Sequence, residues 1–391
     1  MNTLKRNCFY YQIYTYCKKS LLLFYVLTLY YLALGLSYTS IAIVSVIGTV
    51  STLVSEVPTG VIADRWSRKK SLQVSELLKI VSLIFLLFGK NFFVLCLSSL
   101  IWGVAESCES GADQALLYEL FDDKKEYDLF LSKVYSRGYV ASACSTMIAT
   151  VLFSVNIYLP VLISLLLIIV AFLAVSCLQE IKTNQATEES NFLNFNHEVL
   201  HYMKGNQPLL NILILMSVCT IAVMSINSYC QPLLLEKGID LKVLGVLMFL
   251  YNLTMSLGAK VYKKMKFKNL QFVLAAGLGF GAVAVGHSNL LFSIVIFGMY
   301  RFINGMIWPS LTYRSNQVLK SEVRATVMSY QNMITSILCI FIDPAVGVAL
   351  DYLGIGNFYT VFGFICITMV ALLFVWYLKL QKSENKESVS E

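Results

Sequence analysis

Charge is scarce in this chain of 391 residues. Asp, Glu, Lys and Arg make up 14% of it and hydrophobic residues 57%, against about 25% and about 45–50% in an ordinary soluble domain. Too little charge remains to cover a soluble surface of this size, which excludes a water-soluble globule. Nor are the charges arranged for nucleic acid. The net charge of +7 comes from short basic loops between apolar runs, with no basic tail or stripe to follow a phosphate backbone. The ten cysteines include no C-x-x-C pair and mostly sit in apolar runs, where Cys behaves as a small hydrophobe. They give no metal or redox signal. No G-x-x-x-x-G-K-[ST] loop is present, so ATP hydrolysis by this chain is not supported, and no cofactor is expected. The first apolar run also lacks the small-residue cleavage site of a removable signal peptide.

What the sequence does have is long apolar runs, many near the ~20 residues needed to cross a bilayer. The first is Leu21–Leu34, or a longer segment reaching back to Tyr10 that takes Lys18 and Lys19 into the membrane. Ile41–Ala63, Ser71–Phe88, Phe92–Leu116, Val134–Val155 and Tyr158–Leu178 follow. After the longest polar stretch come Leu209–Leu234, Leu241–Tyr262, Gln271–Gly286, Leu290–Leu311, Ala325–Leu350 and Phe358–Leu380. The expected fold is therefore an all-α membrane protein of about twelve transmembrane helices in two six-helix bundles. The expected division is a first bundle over 1–178, a cytoplasmic linker over 179–208, a second bundle over 209–380 and a cytoplasmic tail over 381–391. With both termini in the cytoplasm, only Lys90, Lys237 and Lys242 among the loop cations fall outside, which fixes the orientation by the positive-inside rule.

The stretch Pro58 to Leu72 stands out. An apolar helix ends in Gly60-Val61-Ile62-Ala63-Asp64, a basic loop Arg65-Trp66-Ser67-Arg68-Lys69-Lys70 follows, and a new apolar run starts at once. Gly60, Ala63, Asp64, Arg65, Arg68, Lys69 and Leu72 match the pattern G-x-L-A-D-R-x-G-R-(R/K)-x-x-L, with Ile62 for Leu and Ser67 for the second Gly. This resembles the cytoplasmic signature loop of the major facilitator superfamily. Ser110 to Glu119 and Arg324-Ala325-Thr326-Val327-Met328-Ser329 are similar to its bacterial drug-efflux-like branch. The chain departs from that branch in the fourth span, which reads Trp102-Gly103-Val104-Ala105-Glu106 in place of R-x-x-Q-G. The fifth reads Gly138-Tyr139-Val140-Ala141-Ser142 and lacks the G-P motif of drug/proton antiporters.

The resemblance implies secondary transport by rocking of the two bundles around a midplane site. It also implies a conformational latch of Gly60, Asp64, Arg65, Arg68, Lys69, Glu119 and Arg324. Asp64 would face the N-terminal dipole of the eleventh span near Arg324, and Arg65 and Arg68 would pair with Glu119. Without a switching role, the same basic residues are positive-inside anchors. The family's first, fourth, seventh and tenth spans line the central cavity.

Charges inside spans are costly enough to mark functional candidates. Glu106, Glu109 and Asp113 in the fourth span lie within about 60° of one another on a continuous helix at ~100° per residue. Arg301, Asn304 and Trp308 repeat that spacing in the tenth span, and Asn227, Ser228, Tyr229 and Gln231 offer polar groups in the seventh. The carboxylates read as a proton site, as an attraction for a cationic amphipathic substrate, or as a packing motif neutralised by Arg301 and the first-span lysines. Asp343-Pro344, in the eleventh span, suggests a kinked gating segment, whereas Glu76 and Lys79 read as an i,i+3 pair or a snorkelling lysine near the cytoplasmic end. The expected function is export of a small amphipathic, preferentially cationic compound by antiport with protons as coupling ion. Uptake or facilitated diffusion of a metabolite is the alternative within transport. A different class is open through His197-Glu198-Val199-Leu200-His201, an H-E-x-x-H pattern that on a helix sets two zinc ligands beside a general base. Its position in the polar middle stretch equally fits an amphipathic surface helix. The expected partners are the lipid bilayer and a small-molecule substrate, with the chain a monomer in a bacterial cell membrane and no nucleic acid bound.

Overall fold

The computed structural model describes residues 3–179, 202–319 and 323–390 apart from Gly111, Asp122, Lys204, Lys266 and Lys268. The side chains of Val57, residues 61–66, Gln114, Ala325 and residues 383–390 lie outside the description. Within that range the chain is helical, with one 3-10 turn and no strand.

The first apolar segment is broken. Helix α1 (Thr3–Lys19) stops where the Ser20 N–H is shared between the carbonyls of Tyr16 (3.0 Å) and Cys17 (3.1 Å). Leu21 then turns extended (φ −63°, ψ 105°), and a 3-10 turn (Leu22–Tyr25) and α2 (Leu27–Ala33) complete the segment. Lys18 and Lys19 sit at the break, in the last turn of α1. Next come α3 (Tyr38–Trp66) and α4 (Arg68–Phe88).

The fourth expected span is also divided, into α5 (Phe92–Glu109) and α6 (Ala112–Tyr118). Ser110 leaves helical backbone (φ −56°, ψ 125°) while its N–H still reaches the Glu106 carbonyl. The break falls at a Ser-Gly pair, both weak helix formers. Helices α7 (Lys124–Val155), α8 (Leu159–Cys177), α9 (Gln207–Glu236), α10 (Leu241–Tyr262), α11 (Leu270–His287), α12 (Leu290–Val318), α13 (Arg324–Leu353) and α14 (Ile355–Ser390) complete the chain. Eleven helices among the described residues are long and apolar enough to cross a membrane. The broken first segment is not counted, since neither piece is long enough alone.

The chain packs as two compact units. One holds Met1–Ala186 with Asp240–Phe249 and Asp343–Gly347, the other Thr187–Ile239, Leu250–Ile342 and Val348–Glu391. In the first unit, α5 lies between α3 and α4, and α1 packs on α7 and α8. Hydroxyls tie α5 in place. Ser51 donates to Leu100 O (2.7 Å), Ser99 to Val44 O (2.7 Å), Ser75 to Ala105 O (2.7 Å) and Ser71 to Cys108 O (2.6 Å). Such bonds and close backbone approach are the usual cement between helices in lipid. At Gly103 the approach is so tight that a methyl group would stand 2.3 Å from Gly48 O. The second unit repeats the device between α10 and α12, where a methyl on Gly305 would stand 1.9 Å from Met255 O. In that unit α11 packs on α14 and α12, and α9 on α14 and α12.

Candidate functional site

The first unit gathers charge at the two helix breaks. From α1, Tyr11, Tyr14 and Lys18 stand at i, i+3 and i+7 on one face. The Tyr11 hydroxyl donates to Asp113 Oδ1 (2.6 Å), and Lys18 Nζ reaches Asp113 Oδ2 (3.2 Å) and Glu109 Oε1. Lys18 also lies over the Tyr14 ring (5.7 Å), whose hydroxyl is buried without a partner among the described residues. From α4, Lys79 pairs with Glu76 Oε1 (2.7 Å) and with Glu109 Oε2. The Lys79 side chain is 3% exposed, so it is a buried bridge and not a snorkelling surface group. Three carboxylates, Glu76, Glu109 and Asp113, thus share two ammonium groups, Lys18 and Lys79. With all five ionised, the cluster keeps one net negative charge.

The expected single face of Glu106, Glu109 and Asp113 does not form, because the break after Glu109 puts Asp113 on a separate helix. Glu109 and Asp113 still meet, through Lys18. Glu106 stays exposed, accepting from Trp102 Nε1 (3.0 Å), and Phe24 stands edge-on to Trp102 (5.1 Å between ring centres). The Trp102 ring also faces Lys79 Nζ (5.9 Å to its centre).

At the signature loop, the Asp64 and Arg65 side chains lie outside the described residues, while Gly60 lies within α3. Arg68 Nη1 is 2.6 Å from Glu119 Oε1. Lys69 Nζ donates to Ser176 O (2.8 Å) and Leu178 O (2.7 Å), closing the C-terminal end of α8. Ser67, where the pattern has Gly, adopts φ 170°, an extended backbone open to any residue, and its Oγ accepts from Lys70 N (3.1 Å) to cap α4. Arg324 begins α13, with its Nε buried and unpartnered among the described residues.

In the second unit, Asn304 is 2% exposed and its Oδ1 accepts from Trp308 Nε1 (3.0 Å), so these two brace α12 internally. Arg301, one turn earlier, is half-buried and joins no ion pair among the described residues. The Tyr229 ring is buried edge-on to Phe358 (6.3 Å), and Asn227 is half-buried. Asp343 is half-buried within α13, which continues helical through Pro344. The H-E-x-x-H residues His197 to His201 lie outside the described residues, and no group of three metal-binding side chains occurs among those described.

A family model described as the Major Facilitator Superfamily matches residues 9–342. The chain belongs to the major facilitator superfamily. It is 23% identical over 231 residues to an uncharacterized MFS-type transporter, YxaM, of Bacillus subtilis (strain 168), a match covering 58% of each chain. The chain thus spans little more than half the length of that relative. A crystal structure of a variant of the nucleoside transporter NupG superposes with TM-score 0.80 at 12% identity, covering 95% of this chain and 100% of that one. A D-xylose-proton symporter superposes with TM-score 0.70 at 12% identity, covering 95% and 96%. At such identities the structures share the fold.

The chain's family is that of transporters, and its fold is shared with them. Sequence reasoning missed three members of its ionic cluster, Tyr11, Glu76 and Lys79. The Tyr11–Tyr14–Lys18 spacing was available once the longer first span was taken. Lys79, read as a local i,i+3 partner, needed the packing of α4 on α5 to become a bridge.

Proposed function

We propose that this transporter couples proton movement to the export of a small amphipathic compound bearing a cationic group, by alternating access. The observation that carries the reading is the buried cluster in which Glu76, Glu109 and Asp113 outnumber Lys18 and Lys79. Surplus negative charge in a low-dielectric interior is costly, and one proton removes it. Loading and releasing that proton gives the unit two states of different charge, which a proton gradient can drive. Glu106 offers the cation an exposed carboxylate at the edge of the cluster, next to Trp102, whose ring also faces Lys79 (5.9 Å). Neutralisation is then the work of Lys18, a first-span lysine, and of Lys79, with no part for Arg301 among the described ion pairs. The Arg68–Glu119 ion pair supports a latch at the signature loop. The Glu76–Lys79–Glu109 bridge favours proton coupling over facilitated diffusion, because a neutral pore has no use for a charge surplus held away from solvent. The reading places the protein as a monomer in a bacterial cell membrane, with both termini, the tail and the linker in the cytoplasm and a six-helix bundle on each side of the linker.

The test is a screen of cationic and neutral dyes in cells expressing the chain, with and without a protonophore. Exclusion of a cationic dye that the protonophore abolishes is expected. Uptake into cells, or exclusion indifferent to the protonophore, would replace export by proton exchange with a carrier or an uptake system.

A further inference from the structure

Arg301 is an unmatched charge. It is the twelfth residue of α12, about 16 Å along the axis from Leu290 at 1.5 Å per residue, which sets it near the middle of a ~30 Å apolar layer. A guanidinium keeps its proton throughout the physiological range, so burial cannot neutralise it, and at that depth it needs an anionic or strongly accepting partner. Helices α9 to α13 carry only three carboxylates, Glu236, Asp343 and Asp351. Glu236 and Asp351 lie in the last turns of their helices, and Asp343 packs with the first unit. None is paired with Arg301 among the described residues.

The surroundings are those of a site and not of a buried brace. Arg301 is half-buried, and its charge acts on Cys230 of α9, Tyr251 of α10 and Tyr300. The Tyr251 hydroxyl is already used, donating to Ile294 O (2.8 Å), and the neighbouring amide Asn304 gives its oxygen to Trp308. Tyr300, by contrast, buries a hydroxyl with no partner among the described residues. The fork of an arginine fits a carboxylate with two parallel hydrogen bonds, and Arg301 has no such partner among the described residues.

We infer that Arg301 is the ligand for a carboxylate group on the transported solute. The inference rests on the transport reading above and narrows it. The solute then belongs to the carboxylate-bearing compounds, such as organic acids, amino acids and their larger amphipathic derivatives.

Binding can be tested without transport, on purified protein in detergent. Thermal unfolding is followed with matched probes that differ only at the acid: phenylalanine and phenylalaninamide, nicotinate and nicotinamide, hippurate and its amide. Inorganic phosphate and sulfate serve as anion controls. At least one carboxylate is expected to raise the midpoint while its amide and the inorganic anions do not. In Arg301→Gln that shift should weaken by tenfold or more in the concentration required, from loss of charge-assisted hydrogen bonds. Arg301→Lys should retain part of it. Equal shifts from acids and amides, no shift from any carboxylate, or a shift that survives Arg301→Gln would overturn the assignment. An Arg301-dependent, carboxylate-selective shift in a protein whose dye export ignores the protonophore would leave the site standing and remove proton-coupled export.

Discussion

Removing Lys79 should do more damage than removing either of its partners. Its ammonium, 3% exposed, bridges Glu76 and Glu109, and Glu109 is held on its other oxygen by Lys18. In Lys79→Ala the cluster falls from three carboxylates on two ammonium groups to three on one. Breaking a buried ion pair from one side costs about 3–5 kcal/mol, because the partner charge is left uncompensated. For a unit of fewer than about 250 residues, each kcal/mol moves the midpoint by roughly 2–4 °C, so a fall of about 6–20 °C is expected. Glu76→Gln takes the cluster the other way, to two carboxylates on two ammonium groups, and the amide can still accept from Lys79. Its cost should stay under about 1.5 kcal/mol, the net worth of an ordinary hydrogen bond. A thiol-reactive dye is a suitable reporter, since Cys17 and Cys108 are buried in this unit and become reactive as it opens. Equal midpoints for the two variants, or a larger fall in Glu76→Gln, would refute the charge count on which the proton site is built.

Other outcomes follow from single contacts. A double-mutant cycle of Arg68→Ala and Glu119→Gln should give a coupling of about 1 kcal/mol, the pair being partly solvated; no coupling would remove this pair from the latch. Ser67→Gly should cost a few tenths of a kcal/mol and Ser67→Ala about 1 kcal/mol, read from thermal midpoints, because the cap and not backbone freedom holds α4. Gly305→Ala should lower the midpoint by about 1–3 kcal/mol of stability, since its methyl group meets the Met255 carbonyl, and an unchanged midpoint would show that α10 and α12 separate freely. Asp64→Asn should abolish transport while leaving membrane expression intact; full transport would remove Asp64 from the latch.

The helical architecture was legible because lipid forces it. Apolar runs of spanning length and basic loops confined to one side carry the fold without knowledge of any contact. The breaks at Ser20–Leu21 and Ser110 were less visible, because apolar residues continue through or around them and hydropathy does not register a lost helical hydrogen bond. That loss mattered for the site. A continuous fourth span would carry Asp113 on the same helix as Glu106 and Glu109, whereas the interruption moves Asp113 to a helix of its own. Asn304 and Trp308 show the opposite limit. Their spacing placed them on one face with Arg301, but only side-chain geometry revealed that they satisfy each other and leave Arg301 open. Ser67 reads as a defect against the signature pattern and becomes a helix cap once its backbone angle is known.

The central claim is that the Glu109 cluster carries the coupling proton. Its most direct measurement is internal pH in proteoliposomes loaded with a pH-sensitive dye, when a gradient of an exported cationic solute is imposed on wild type and on Glu109→Gln. Wild type should move protons against the solute, and the variant should bind the solute yet move none. Solute flux with no proton movement in wild type, or unchanged proton movement in Glu109→Gln, would contradict it.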